Sequence, residues 1–190
     1  MSWLVEQMQL QEEVRSFDRS IRLTSKNGWF WKVVAWALFI ISFGKFKRED
    51  FLTRFATTIG NVQAYPEEWS VATVRRVMVH ESRHCFQARV CGFGIHPMAG
   101  LPVMTLLYAL LPLPMFFAFF RCWFELDADR TEWRYALAHG SADAAVIRWR
   151  AQNFAETVSG PAYMWSVWRS LAVWWFTREA EKVIAEHQSK

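Results

Sequence analysis

Cysteine is scarce in this chain of 190 residues: there are three, Cys85, Cys91 and Cys122. An odd number does not close a disulfide framework, and none of the three has zinc-finger spacing. They read as buried free thiols in a reducing compartment. Cys85 stands beside His84 on one helical turn, which is badly aimed for Cys–His nucleophilic pairing. Glycine-rich phosphate loops and serine-nucleophile motifs are missing, as are internal repeats and low-complexity tracts. The net charge is +4, but the basic residues are scattered and no nucleic-acid motif accompanies them. The charge reads as a solvated face, and nucleic acid is not an expected partner. The amino-terminal stretch "MSWLVEQMQLQEEVRSFDRS" has no basic start, apolar middle or small-residue cleavage site. Cytoplasmic synthesis without a secretory signal is therefore expected.

What is abundant is apolar and aromatic. Hydrophobic residues make up 53% and aromatics 17%, with 12 Trp and 16 Phe. That is too apolar for a disordered chain and enough for one domain with a real core. It also exceeds what an ordinary soluble domain needs, so a membrane interface or a large protein partner is expected to cover part of the surface. Basic charge beside many Trp and Phe residues suits an anionic membrane interface.

Along the chain, Leu4, Met8, Val14, Phe17 and Ile21 fall at helical spacing, which predicts a helix over 3–23 that Asn27-Gly28 breaks. "WFWKVVAWALFIISF", Trp29 to Phe43, is strongly apolar but shorter than the roughly 20 residues a span needs. It reads as a buried or interfacial helix, with a short membrane anchor as the second reading. "GKFKRED" reads as a polar connection. "FLTRFATTIGNVQAYP" reads as a strand or hairpin turning at Gly60-Asn61. Ser70 is an N-cap for a helix to about Cys91, which Gly92 and Gly94 stop. A further helix starts near Arg121 and ends at Gly140. Ser141 caps the next, which Ser159-Gly160-Pro161 closes. The last runs from about Tyr163, with Trp165, Trp168 and Trp175 as a core or interface stripe. The reading is a mainly α, α+β single domain over 1–190. Residues 1–50 supply N-terminal helices, 51–140 a metal-site core with an apolar insert at 97–124, and 141–190 C-terminal helices.

The chemistry concentrates in "VHESRHC". On a helix, His80 and His84 are i and i+4 and aim two imidazoles at one ion. Zinc takes imidazole nitrogen at about 2.0–2.1 Å, and catalytic sites use three protein ligands plus water. Glu81 projects about 100° from His80, within reach of that water. Downstream, Glu125 and Asp129 are also i and i+4. Glu125 can complete the ligand set, and Asp129 can accept the spare N–H of a ligand histidine. A solvated, charged helix face with i,i+4 partners would look alike, but this pair follows a greasy segment where isolated acids are costly.

His80-Glu81-x-x-His84 followed by Glu125-x-x-x-Asp129 resembles the gluzincin pattern of zinc metallopeptidases. It is closest to the membrane-linked group in which the Glu-x-x-x-Asp helix follows apolar segments. The strand "FATTIGNVQAYP" and Gln87 also look similar to small predicted metallopeptidases encoded by bacteriophages. The resemblance covers roughly residues 53–135. It implies a zincin-like core, Zn2+ held by His80, His84 and Glu125, Glu81 as general base and Asp129 as orienter. The implied activity is peptide-bond hydrolysis on a peptide or protein substrate, at or near a membrane or within an assembly such as a phage particle. A clear upstream membrane pair is absent.

Ala99 to Phe120 carries no charge over 22 residues. A single crossing would put His84 and Glu125 on opposite sides of a layer about 30 Å thick, which forbids a shared ion. The metal reading therefore requires an apolar helical hairpin turning at Pro112-Leu113-Pro114. A second donor for the oxyanion is expected from Tyr163, His139 or His96, with Tyr163 favoured for its place after a helix break. A strand near residues 55–65 can take an extended peptide by edge pairing. Two other readings differ in class. One is a virion-type assembly protein that retains a structural zinc site, which would not need Glu81. The other is a metal-free membrane protein whose apolar segments span.

Overall fold

A computed structural model of the chain describes residues 3–44, 46–109, 119–160 and 167–189. These form eight helices and one three-stranded sheet, a mainly helical α+β architecture. The chain divides into two compact units, Met1–Leu101 and Pro102–Lys190. The boundary between them falls inside the expected 51–140 core.

The first unit is built on helix α4, Val71–Cys91. Its start is set by Ser70, whose side chain accepts a hydrogen bond from the Thr73 N–H at 3.2 Å. That satisfies one of the orphan donors of the first turn. Gly92 caps its end, as its sequence predicts. Helix α1, Trp3–Phe17, packs Leu10 and Val14 against Val74, Met78 and Cys85 of α4.

The helix expected over 3–23 stops at Phe17. Arg22–Ser25 is instead strand β1. It pairs in parallel with β3, Val62–Tyr65, in the register Arg22↔Val62 to Ser25↔Tyr65. Strand β2, Thr57–Ile59, pairs antiparallel with β3, so the order is β1-β3-β2. Gly60 and Asn61 make the expected turn, and Gly60 has the positive φ of 61° that a two-residue hairpin turn needs. Helix α2, Trp29–Ile41, and helix α3, Arg48–Thr53, lie between β1 and β2 in sequence. Helix α3 thus takes in "RED" of the expected polar connection, and "FLT" is helical rather than extended. Trp31, Ala35 and Phe51 bury against Ala64 of β3.

Helix α5, Pro97–Ala109, begins against the end of α4. A Cβ on Gly100 would lie 1.7 Å from the Ala88 carbonyl oxygen and 2.4 Å from the Gly92 nitrogen, so only glycine permits this approach.

The second unit packs helix α6, Phe119–Ala138, with α7, Ala144–Val158, and α8, Arg169–Gln188. Trp133 and Phe176 are the largest side chains of its core. Gly140 ends α6 with a φ of 63°. The cap of α7 is Asp143, not Ser141: Asp143 Oδ1 accepts from the Val146 N–H at 2.8 Å. Ser141 Oγ donates instead to the Ala136 carbonyl and closes the preceding helix. Within the expected tryptophan stripe, Trp175 packs on the core and Trp168 is exposed. Trp165 and the Pro112-Leu113-Pro114 turn of the expected hairpin lie outside the described residues. No helix among the described residues is long and apolar enough to cross a membrane.

Candidate metal centre

Helix α4 carries His80, Glu81 and His84, all three buried, and brings the two imidazoles together. The i,i+4 spacing places the rings 4.9 Å apart at 77°, with the two Nε2 atoms 3.1 Å from each other. Two nitrogens bound tetrahedrally at the usual zinc distance stand about 3.3 Å apart. The pair is therefore already set at nearly the spacing a tetrahedral ion demands. Gln87, one turn on and also buried, sits with its Oε1 2.8 Å from His84 Nδ1. With Oε1 accepting, the proton is fixed on Nδ1 and the Nε2 lone pair is left for a metal.

Glu81 points toward the sheet. Its Oε2 accepts a 2.6 Å hydrogen bond from the Thr58 hydroxyl of β2. The preceding residue, Thr57, serves the opposite direction: its hydroxyl accepts from Lys26 Nζ at 2.6 Å. Lys26 also donates to the Phe51 and Phe55 carbonyls at 3.0 and 2.9 Å and lies 3.7 Å from the Phe51 ring centre. Burial pulls its ammonium down from 10.5 to about 7, and the Glu81 charge partly restores it. Sequence reading missed both Lys26 and Thr58. A lysine at a strand end and a threonine in a hairpin carry no spacing signal. Only the folded sheet brings Thr58 to Glu81 and Lys26 to Thr57.

Helix α6 carries Glu125 and Asp129 one turn apart, 2% and 5% exposed respectively. That burial removes the reading of "ELDADRTEWR" as a wholly solvated face. Burial pushes the Cys122 thiol up to about 12, with Glu125 and Asp129 adding to the rise. Cys85 is likewise pushed up to about 12 by burial, against a lowering hydrogen bond from Gln63. Both stay protonated at neutral pH and are poor nucleophiles. Cys91 is half-buried rather than buried. The imidazole pair of α4 and the carboxylate pair of α6 are donor sets of a kind that could hold a metal ion.

The expected oxyanion donors fare differently. His96 Nδ1 accepts the Met98 N–H at 3.1 Å at the start of α5. His139 Nδ1 donates to the Tyr135 carbonyl at 2.8 Å and stacks on the Tyr135 ring. Both imidazoles serve helix ends. Tyr163 lies outside the described residues. No protein-family model, curated protein or solved structure matches the chain.

Proposed function

We propose that the protein is a zinc-dependent peptide hydrolase. The observation that carries the reading is the His80–His84 imidazole pair, spaced for one tetrahedral ion with Glu81 buried beside it on the same helix. In this reading His80, His84 and Glu125 hold the zinc, and Asp129 orients a ligand histidine, as the sequence pattern implies. When bound, zinc supplies a Lewis acid that polarises a carbonyl and acidifies water. Glu81 receives the proton of the attacking water on a carboxylate oxygen and passes it to the leaving amine. Thr58 holds that carboxylate in place through its 2.6 Å bond. Strand β2 is at the edge of the sheet and contributes Thr58, so an extended substrate pairing with β2 would lie next to Glu81. Tyr163 is retained as the proposed oxyanion donor.

The test is elemental analysis of the wild-type protein, His84→Ala and Glu125→Ala. About one zinc per wild-type chain, lost in both variants, supports the three-ligand set. Glu81→Gln should then keep the zinc and lower peptide cleavage about a hundredfold or more. Metal-free wild-type protein would sink the reading. Zinc held without any cleavage by the wild type would leave the ion a structural role.

A further inference from the structure

Helix α2 is apolar on two opposite faces, and among the described residues only one of them is packed into a core. Trp31 and Ala35 are buried, and Val34 and Leu38 pack beside them on Phe51 and Ala64. At about 100° per residue these four span one side of the helix. Trp29, Val33, Trp36 and Ile40 fall within about 60° of one another on the other side. They are 76%, 55%, 48% and 66% exposed. Phe43, just past the helix end, is 94% exposed. A surface helix ordinarily turns charged residues outward.

Basic residues flank this stripe. Helix α2 carries Lys32 and no acid, and Lys47 and Arg48 stand at the start of α3, ahead of Glu49 and Asp50. Lys32, Lys47 and Arg48 are exposed. The Arg48 guanidinium lies 3.7 Å from the Trp36 ring centre, so cation and tryptophan are presented together. The helix has 13 residues, or about 20 Å, and is too short to cross a bilayer. Tryptophan with flanking basic residues on a short helix is the chemistry of an acidic headgroup boundary.

We infer that the outer face of α2 seats the protein on the surface of an anionic lipid bilayer. The helix lies parallel to the membrane, its Trp29–Val33–Trp36–Ile40 stripe in the headgroup boundary and its basic residues on the phosphates. The inference goes beyond the hydrolase reading and does not depend on it.

The experiment is co-sedimentation of the full chain with vesicles of phosphatidylcholine alone and of phosphatidylcholine mixed with phosphatidylglycerol. Binding should require the anionic lipid and weaken as salt rises. Trp36→Ser combined with Ile40→Ser should weaken it about tenfold or more. Lys47→Glu with Arg48→Glu should weaken it on the same vesicles, and unchanged circular dichroism confirms that both variants fold. Absence of wild-type binding to anionic vesicles overturns the inference, as does binding that the Trp36/Ile40 variant retains. A lipid-free wild-type dimer that the same variant converts to monomer assigns the face to a second copy and also overturns it.

Discussion

The 2.6 Å bond from Thr58 to Glu81 is the contact on which the proposed base depends for its aim. Thr58→Val keeps the shape and removes the donor. Cleavage should fall by about tenfold with zinc content unchanged, read by steady-state kinetics beside elemental analysis. Lys26 offers a separate test, by pH. Its ammonium binds a proton at 10.5 when unfolded and at about 7 when folded. Between those values the unfolded chain holds the extra proton, so this group's contribution to stability rises with pH. It is complete above about 10.5 and lost as pH falls to about 7. Cys85 and Cys122 act oppositely above about pH 9, because folding raises their values. The quantity to measure is therefore the stability of the wild type minus that of Lys26→Met, in which the thiol terms cancel. It should increase from pH 7 to pH 10.

At the scale of elements, the sequence showed most clearly what is local. Helix α4 was legible because Ser70, the His80/His84 spacing and Gly92 each act within a few residues of where they stand. The β2–β3 hairpin was legible for the same reason, through Gly60-Asn61. Strand β1 was not. Ile21 continues the helical spacing of α1, and what holds residues 22–25 extended is a partner strand at 62–65. The cap of α7 was misplaced by two residues because Ser141 and Asp143 are both good caps. The choice is made by the Ala136 carbonyl, which engages Ser141 first. Of the candidate-site residues, the His80–Glu81–His84 set was readable from spacing, while Thr58 reaches Glu81, and Lys26 reaches Thr57, only through the folded sheet. The crossing of α4 and α5 makes its own prediction. Gly100→Ala must push the backbone of Ala88 or Gly92 aside and should cost about 2 kcal/mol or more in denaturant unfolding. Ser70→Ala should cost about 1 kcal/mol by the same measurement, through the lost cap.

For the molecule as a whole, the excess of apolar residues seen in the composition has a structural counterpart. Trp29, Trp36, Trp149, Trp168 and Trp174 are exposed, so the surplus is not all absorbed into the buried clusters. Metal removal is the whole-molecule test of the proposed centre. A chelator should lower the melting temperature of the wild type and leave that of His84→Ala unchanged. At free zinc about a hundredfold above the dissociation constant, the difference corresponds to about 2.7 kcal/mol.

The parallel pairing of β1 with β3 has a further consequence, for the order of assembly. Residues 26–61, including α2, α3 and β2, separate the two strands. The β2–β3 hairpin closes over two residues, whereas β1 must await the whole crossover before it meets a partner. Loop closure of that length is slow relative to hairpin formation. On a ribosome, β1 emerges first of the three strands, leaving Arg22–Ser25 an unpaired edge until Tyr65 has been made.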